Sequence, residues 1–198
     1  LRRGKPHELD LLAILSTEAF TPQGEWYNVL QRLKHTLTVW DLQAQFYQRY
    51  YQWPQIVKEF VPPIEEARYA LLVAAKPTGP AVGMTELCVC PSPVPAEVRN
   101  ALEIKDTALY VSNLAVAAEH RRKGVGEALV RWCETLGQEW GQSHVFLHVE
   151  RDNQAAIAFY KALGFTKVTR DIEWYARIRR ADLASQNTIV LFKEVEPE

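Results

Sequence analysis

Apolar residues recur along this chain at two periods, three-to-four and two, and the switches between them mark out its elements. Leu1 to Gly4 reads as the remnant of a first strand. From Pro6, apolar residues at Leu9, Leu11, Leu12, Ile14, Leu15 and Ala19, with Glu8 and Asp10 near the start, predict a helix. Phe20-Thr21-Pro22-Gln23-Gly24 breaks it. Glu25 to Phe60 reads as mostly helical, interrupted before Pro54 and stopped at Pro62-Pro63, because proline lacks a donor and disfavours helix in the residue before it. Arg68 to Ala75 and Ala81 to Cys90 form a hairpin around the turn residues Lys76 to Pro80. Pro91 to Asp106 reads as a loop insertion, irregular at first and then briefly helical.

From Leu109 a β-branched and apolar run feeds a basic, glycine-punctuated turn that ends at Gly126. Val125, Ala128, Leu129, Trp132, Cys133, Leu136 and Trp140 then carry the spacing of one buried helical face. His144 to Glu150 is a strand, and Asn153 to Leu163 a helix, capped by Asp152 or Asn153 and stopped by Gly164. Phe165 to Thr169 and Ile189 to Val195 are strands joined by a polar and aromatic loop. Helices and strands alternate without an internal repeat, so residues 1–198 are expected to form a single mixed α/β domain.

The segment from Trp26 to Phe60 is rich in aromatic residues: Trp26, Tyr27, Trp40, Phe46, Tyr47, Tyr50, Tyr51 and Trp53. The favoured reading is a helix that packs its aromatics on the sheet. The alternative is a surface that contacts substrate or a protein partner. At 198 residues, 47% hydrophobic and 24% charged, the chain fits one soluble globular domain. A net charge of -1 gives no electrostatic case for nucleic acid or an anionic membrane. The basic residues are local, at Arg121, Arg122 and Lys123 and again at Arg177, Arg179 and Arg180. Cys88, Cys90 and Cys133 are odd in number and contain no Cys-x-x-Cys, so buried thiols are expected and a disulfide framework or a metal site is not. No apolar run is long enough to span a membrane, and no targeting peptide is visible. The chain starts at Leu1, so any targeting segment is expected to have preceded it.

The turn from Arg121 to Gly126 has the makings of a phosphate cradle. Glycines let the backbone approach closely, and the helix that follows offers its first amides and the positive end of its dipole. No Gly-Lys-Ser/Thr follows, which excludes a Walker loop, and a third glycine at the dinucleotide offset is missing. Taken with Asn153, Tyr160 and Phe165 after the next strand, Arg121-x-x-Gly124-x-Gly126 resembles the GCN5-related N-acetyltransferase (GNAT) family, and the order of elements agrees with that fold along the whole chain. The resemblance implies a central mixed, mostly antiparallel twisted sheet of about seven strands flanked by helices. The aromatic-rich helical segment after the first helix would be an extension of it.

A closer likeness is to the N-terminal protein acetyltransferases, particularly the catalytic subunit of the NatE type. It rests on Tyr110, on His148 in a Leu-His-Val strand, and on Trp174-Tyr175-Ala176-Arg177-Ile178 leading to Ala181-Asp182. Tryptophan stands at 174 where those enzymes carry tyrosine, and Phe20-Thr21-Pro22 matches their early Phe-Pro only loosely. The wording Tyr110-Val111-Ser112-Asn113-Leu114-Ala115-Val116 is similar to plastid and cyanobacterial members, which implies a plastid location and both N-terminal and lysine acetylation.

The resemblance implies acetyl-CoA as cofactor. The backbone of Arg122, Lys123, Gly124, Val125 and Gly126 would cradle its pyrophosphate, with Arg121 and Arg122 adding charge. Its pantetheine arm would pair along Leu114, Ala115 and Val116, where a backbone N–H could stabilise the developing oxyanion, and Asn153 would reach the same arm unless it serves only as a helix cap. Tyr160 would protonate the departing thiolate; otherwise it is a core tyrosine. His148, acting through water with Tyr110 as partner, would be the general base. A modest base suffices for an α-amine, since about a third of α-amines are neutral at pH 7.5 against about a thousandth of lysines.

Glu86 is the rival base, or else an outward-facing residue on a half-exposed strand. Phe20, Trp174 and Tyr175 would contact the acceptor. The expected reaction is direct attack of the amine of a protein N-terminus, or of a lysine, on the thioester. Acetylation of a small amine, such as a polyamine or arylalkylamine, is the first alternative. A non-catalytic scaffold that docks through the aromatic segment is the second.

Overall fold

The computed structural model describes residues 1–20, 29–56, 68–76, 79–91, 105–167 and 188–195. In chain order these form β1 (Arg2–Arg3), a 3-10 turn (Pro6–Glu8), α1 (Leu9–Phe20), α2 (Val29–Ile56), β2 (Tyr69–Ala75), β3 (Ala81–Pro91) and β4 (Thr107–Val116). A 3-10 turn (Ala118–His120), α3 (Val125–Glu139), β5 (His144–Glu150), α4 (Gln154–Ala162), β6 (Thr166–Lys167) and β7 (Thr188–Glu194) follow. The strand order is β1-β2-β3-β4-β5-β7-β6. β4 and β5 pair in parallel, whereas β1 with β2, β2 with β3, β5 with β7 and β6 with β7 pair antiparallel. The sheet is mixed and mostly antiparallel, as expected.

The chain gathers into two compact units, Leu1–Cys88 with Asn113–Trp132, and Val89–Ser112 with Cys133–Glu198. In the first, α1 and α2 pack through Leu9, Leu12, Ala13, Leu15 and Phe46 onto Leu71, Val73, Met84 and Ala115. The other face of β3 meets α3. A Cβ built on Gly83 would lie 2.9 Å from Val125 Cγ1 and 3.2 Å from the Ala115 carbonyl oxygen. Helices therefore cover both faces of β3, and the residues from Gly83 to Cys90 are buried without alternation. In the second unit, Leu109 packs against Gly137 of α3. The face that carries Tyr110 holds Ala108, Phe146, Val190 and Phe192.

Two expectations are corrected. α2 does not break before Pro54 but continues to Ile56. A proline in the last turn forfeits one ladder bond, with little helix beyond it to disrupt. Nor is β3 half-exposed: Glu86 retains 1% of its accessible surface, because α2 lies over it. The aromatic segment divides. Phe46 is in the core and Tyr50 packs against it, while Trp40 (63% exposed), Tyr47 and Tyr51 face outward. Trp26 and Tyr27, the side chain of Trp53, the stop at Pro62-Pro63 and most of the loop insertion lie outside the described residues. Cys88, Cys90 and Cys133 are buried thiols outside any disulfide.

The contact at Gly83 leaves no room for a side chain, since Val125 opens α3 and the Ala115 oxygen is backbone. Gly83→Ala is expected to lower unfolding stability by about 1–3 kcal/mol, read as a shift in the urea midpoint at constant slope.

Candidate active site

Two left-handed residues shape the basic turn. Arg122 has φ 59° and Gly124 has φ 80°, so the chain visits the left-handed region twice within three residues just before α3. The Ala128 amide donates to the Gly124 carbonyl (2.9 Å) as the first bond of α3. The amides of Val125, Gly126 and Glu127 therefore precede the intrahelical ladder, at the positive end of the dipole. Arg121, the first residue of the motif, makes two hydrogen bonds to backbone. Its Nε donates to the Val116 carbonyl and its Nη2 to the Ala19 carbonyl, both at 3.1 Å. Ala19 lies in the last turn of α1, where carbonyls lack helical partners. Arg121 is thus a strut between α1, the end of β4 and the turn, and its hydrogen bonds go to backbone rather than outward.

In the second unit the β4–β5 register sets Leu109 opposite Val145 and Tyr110 opposite Phe146. His148, two residues on from Phe146, shares its face. The Tyr110 hydroxyl lies 3.1 Å from His148 Nδ1, with the rings edge to face at 5.6 Å. Two residues singled out in sequence 38 positions apart are brought into hydrogen-bond contact. Asn153 caps α4, its Oδ1 accepting from the Ala156 amide at 3.0 Å. That leaves Nδ2 as the donor the cap does not use. Tyr160, on the buried side of α4, packs edge to face on Phe159 and Phe165. Burial, with Cys133 nearby, pushes its phenol well above the usual range, so it holds its proton throughout neutral pH. Burial likewise raises the Cys133 thiol, which removes it as a nucleophile.

Glu86 belongs to a different constellation, within the first unit. Tyr69 donates to Oε1 at 2.6 Å, Arg49 pairs with Oε2 at 2.7 Å, and Asn113 Nδ2 also donates to Oε2. Gln45 holds the Arg49 guanidinium from the preceding turn of α2 (3.1 Å). The carboxylate is held by three donors and buried, an arrangement suited to fastening rather than to taking protons from a substrate. Arg49, Tyr69 and Asn113 were not anticipated as members of any site. A signal existed for two of them. Arg49 continues the inner face of α2 marked by Leu42 and Phe46, where a charge needs a buried partner. Asn113 interrupts an apolar strand, and asparagine tolerates left-handed backbone. Phe20 lies exposed at the end of α1. Trp174, Tyr175, Arg177, Arg179 and Arg180 fall outside the described residues.

The model of the acetyltransferase (GNAT) family matches residues 26–165. The chain belongs to that family. Over 68 residues it is 40% identical to GCN5-related N-acetyltransferase 7, chloroplastic, of Arabidopsis thaliana, a match spanning 34% of this chain and 25% of that protein. Over 75 residues it is 32% identical to N-alpha-acetyltransferase 50 of Danio rerio, spanning 37% and 45%. The chain thus matches less than half the length of these curated relatives. Among solved structures, Chaetomium thermophilum Naa20 in complex with a bisubstrate analogue aligns with a TM-score of 0.60 at 23% identity, over 98% of this chain and 85% of that one. Arabidopsis thaliana NAA60 in complex with acetyl-CoA aligns with a TM-score of 0.60 at 16% identity, over 98% and 97%. The fold is the GNAT fold. Among the described residues, no helix is long and apolar enough to cross a membrane.

The buried Cys133 and Tyr160 set a pH dependence of stability. Both keep their protons in the folded state to higher pH than in the unfolded chain, where a thiol ionises near about 8.5 and a phenol near about 10. Above those values the unfolded state binds fewer protons, so stability falls as pH rises. Urea midpoints are expected to decline from about pH 8.5 and more steeply above about 10. Cys133→Ala should make the first stage of the decline shallower.

Proposed function

We propose that this chain is an acetyl-CoA-dependent N-acetyltransferase acting on the α-amine of protein N-termini, with lysine ε-amines as a second acceptor. The observation that carries the reading is the Tyr110–His148 hydrogen bond (3.1 Å). With His148 Nδ1 protonated and donating to the Tyr110 oxygen, Nε2 carries the lone pair that takes a proton from the acceptor through water. An α-amine, already neutral in good part near pH 7.5, needs no stronger base. The GNAT family, the relative named N-alpha-acetyltransferase 50 and the shared fold with Naa20 and NAA60 support the same reading.

The basic turn suits acetyl-CoA on its own chemistry. The left-handed pair Arg122 and Gly124 and the amides at the start of α3 would hold the pyrophosphate, with Arg122 and Lys123 adding charge. The pantetheine arm would pair along Leu114, Ala115 and Val116. Asn153 Nδ2 would donate to the same arm. As the amine nitrogen bonds to the thioester carbon, a β4 amide would stabilise the oxygen. The C–S bond would then break, the departing sulfur taking the Tyr160 proton and Tyr160 regaining one from water. Phe20, Trp174 and Tyr175 would contact the acceptor.

Residues 1–198 would act as one catalytic domain, and the chloroplastic names of two relatives support a plastid location. A protein partner is supported by the outward seam of α2. Leu37, Trp40, Ala44, Tyr47 and Tyr51 are all exposed at alternating steps of three and four, the spacing that seats a partner helix.

The test is mass spectrometry of acetyl transfer to peptides with free N-termini, to N-blocked peptides with internal lysines, and to a panel of small amines. Free N-termini are expected to be acetylated fastest. Tyr160→Phe and His148→Ala should each lower kcat by about 10²–10⁴, with little change in acetyl-CoA affinity. Transfer to small amines alone overturns the N-terminal reading.

A further inference from the structure

Asn113 is, with Arg122, one of two non-glycine residues with positive φ among those described, and it lies inside a strand. A left-handed residue inside a strand interrupts its pleat as a bulge does. The shift can be followed along β4. Leu109, an odd position, packs against Gly137 of α3. Ala115, also odd, lies in the cluster with α1, α2 and Met84, while Gly83, the neighbour of Met84, faces α3. In an unbroken strand Leu109 and Ala115 would share a face. The parity therefore changes between them, and Asn113 is where the backbone permits it. Everything after Asn113, including the backbone from Leu114 to Val116, is aimed by that one residue.

Asparagine tolerates left-handed backbone but does not prefer it, so the conformation needs an anchor. The anchor is Glu86. Its Oε2 accepts from Asn113 Nδ2, and it is immobilised by Arg49 from α2 and Tyr69 from β2. Three elements thus converge on one buried carboxylate of β3, and its link to β4 is the Asn113 side chain. Hydrogen bonds to an ionised, water-excluded acceptor are the strong ones.

We propose that Glu86 is a positioning residue for acetyl-CoA: by holding Asn113 in the left-handed conformation it sets the aim of the Leu114–Val116 backbone along which the pantetheine arm pairs. It rests on the acetyl-CoA reading above, and it gives Glu86 a role other than base.

The experiment is calorimetric titration of acetyl-CoA into the full chain, which needs no acceptor, on wild type, Glu86→Gln, Asn113→Gly and the double variant. Glycine adopts left-handed backbone without an anchor. Glu86→Gln is expected to weaken binding about tenfold in the wild-type background and less than about threefold in the Asn113→Gly background. Once an acceptor peptide is identified, Glu86→Gln should lower kcat/KM without displacing its acid limb. An equal loss from Glu86→Gln in both backgrounds, or a displaced acid limb, overturns the proposal and leaves the acetyl-CoA reading standing. Absence of acetyl-CoA binding by wild type overturns both. Should Glu86→Gln not fold, Asn113→Ala keeps Glu86 with Arg49 and Tyr69 but removes both the anchor and the tolerance. It should bind about tenfold more weakly than Asn113→Gly, and equal affinities overturn the proposal.

Discussion

A carboxylate enclosed between helix and sheet must be neutralised and hydrogen-bonded by its surroundings, because burying it alone would cost more than a small domain's net stability allows. In this chain the carboxylate is Glu86, and the first unit is arranged around its satisfaction. α2 brings Arg49, β2 brings Tyr69 and β4 brings Asn113. Those bonds are directional, so they fix the rotation of α2 and the pleat of β4 as well as removing a penalty. Apolar contacts such as Phe46 against Met84 supply bulk stabilisation but far less orientation.

The basic turn illustrates the same division of labour. Its geometry is local: two left-handed residues stand just before the first amides of α3. Where it sits within the first unit is not local. Arg121 joins it to the end of α1 and to Val116, and Gly83 lets β3 approach the first turn of α3 closely. The arginine first in the motif ties the turn to backbone on both sides.

The second unit holds its titratable side chains in two environments. His148 and Tyr110 lie half-buried on a sheet face, in hydrogen-bond contact. Tyr160 is enclosed by Phe159 and Phe165, and that burial keeps its phenol protonated. Cys133 shares the enclosure and is kept an inert thiol for the same reason.

Sequence alone determined what depends on short-range pattern. Helical and strand periods placed nearly every described element, glycine and arginine spacing marked the basic turn, and the cap of α4 was narrowed to Asp152 or Asn153, of which Asn153 accepts from the Ala156 amide. Resemblance then brought Tyr110 and His148 to notice, though their contact awaited the β4–β5 register. What only the tertiary structure decided was the environment of single side chains. The pattern of β3 could not say that helices cover both of its faces, so one reading of Glu86 was an outward-facing residue, when it is buried with three donors. Periodicity records which residues share a face. The partners of a polar group come from elements far away in the chain, and they appear only when those elements pack.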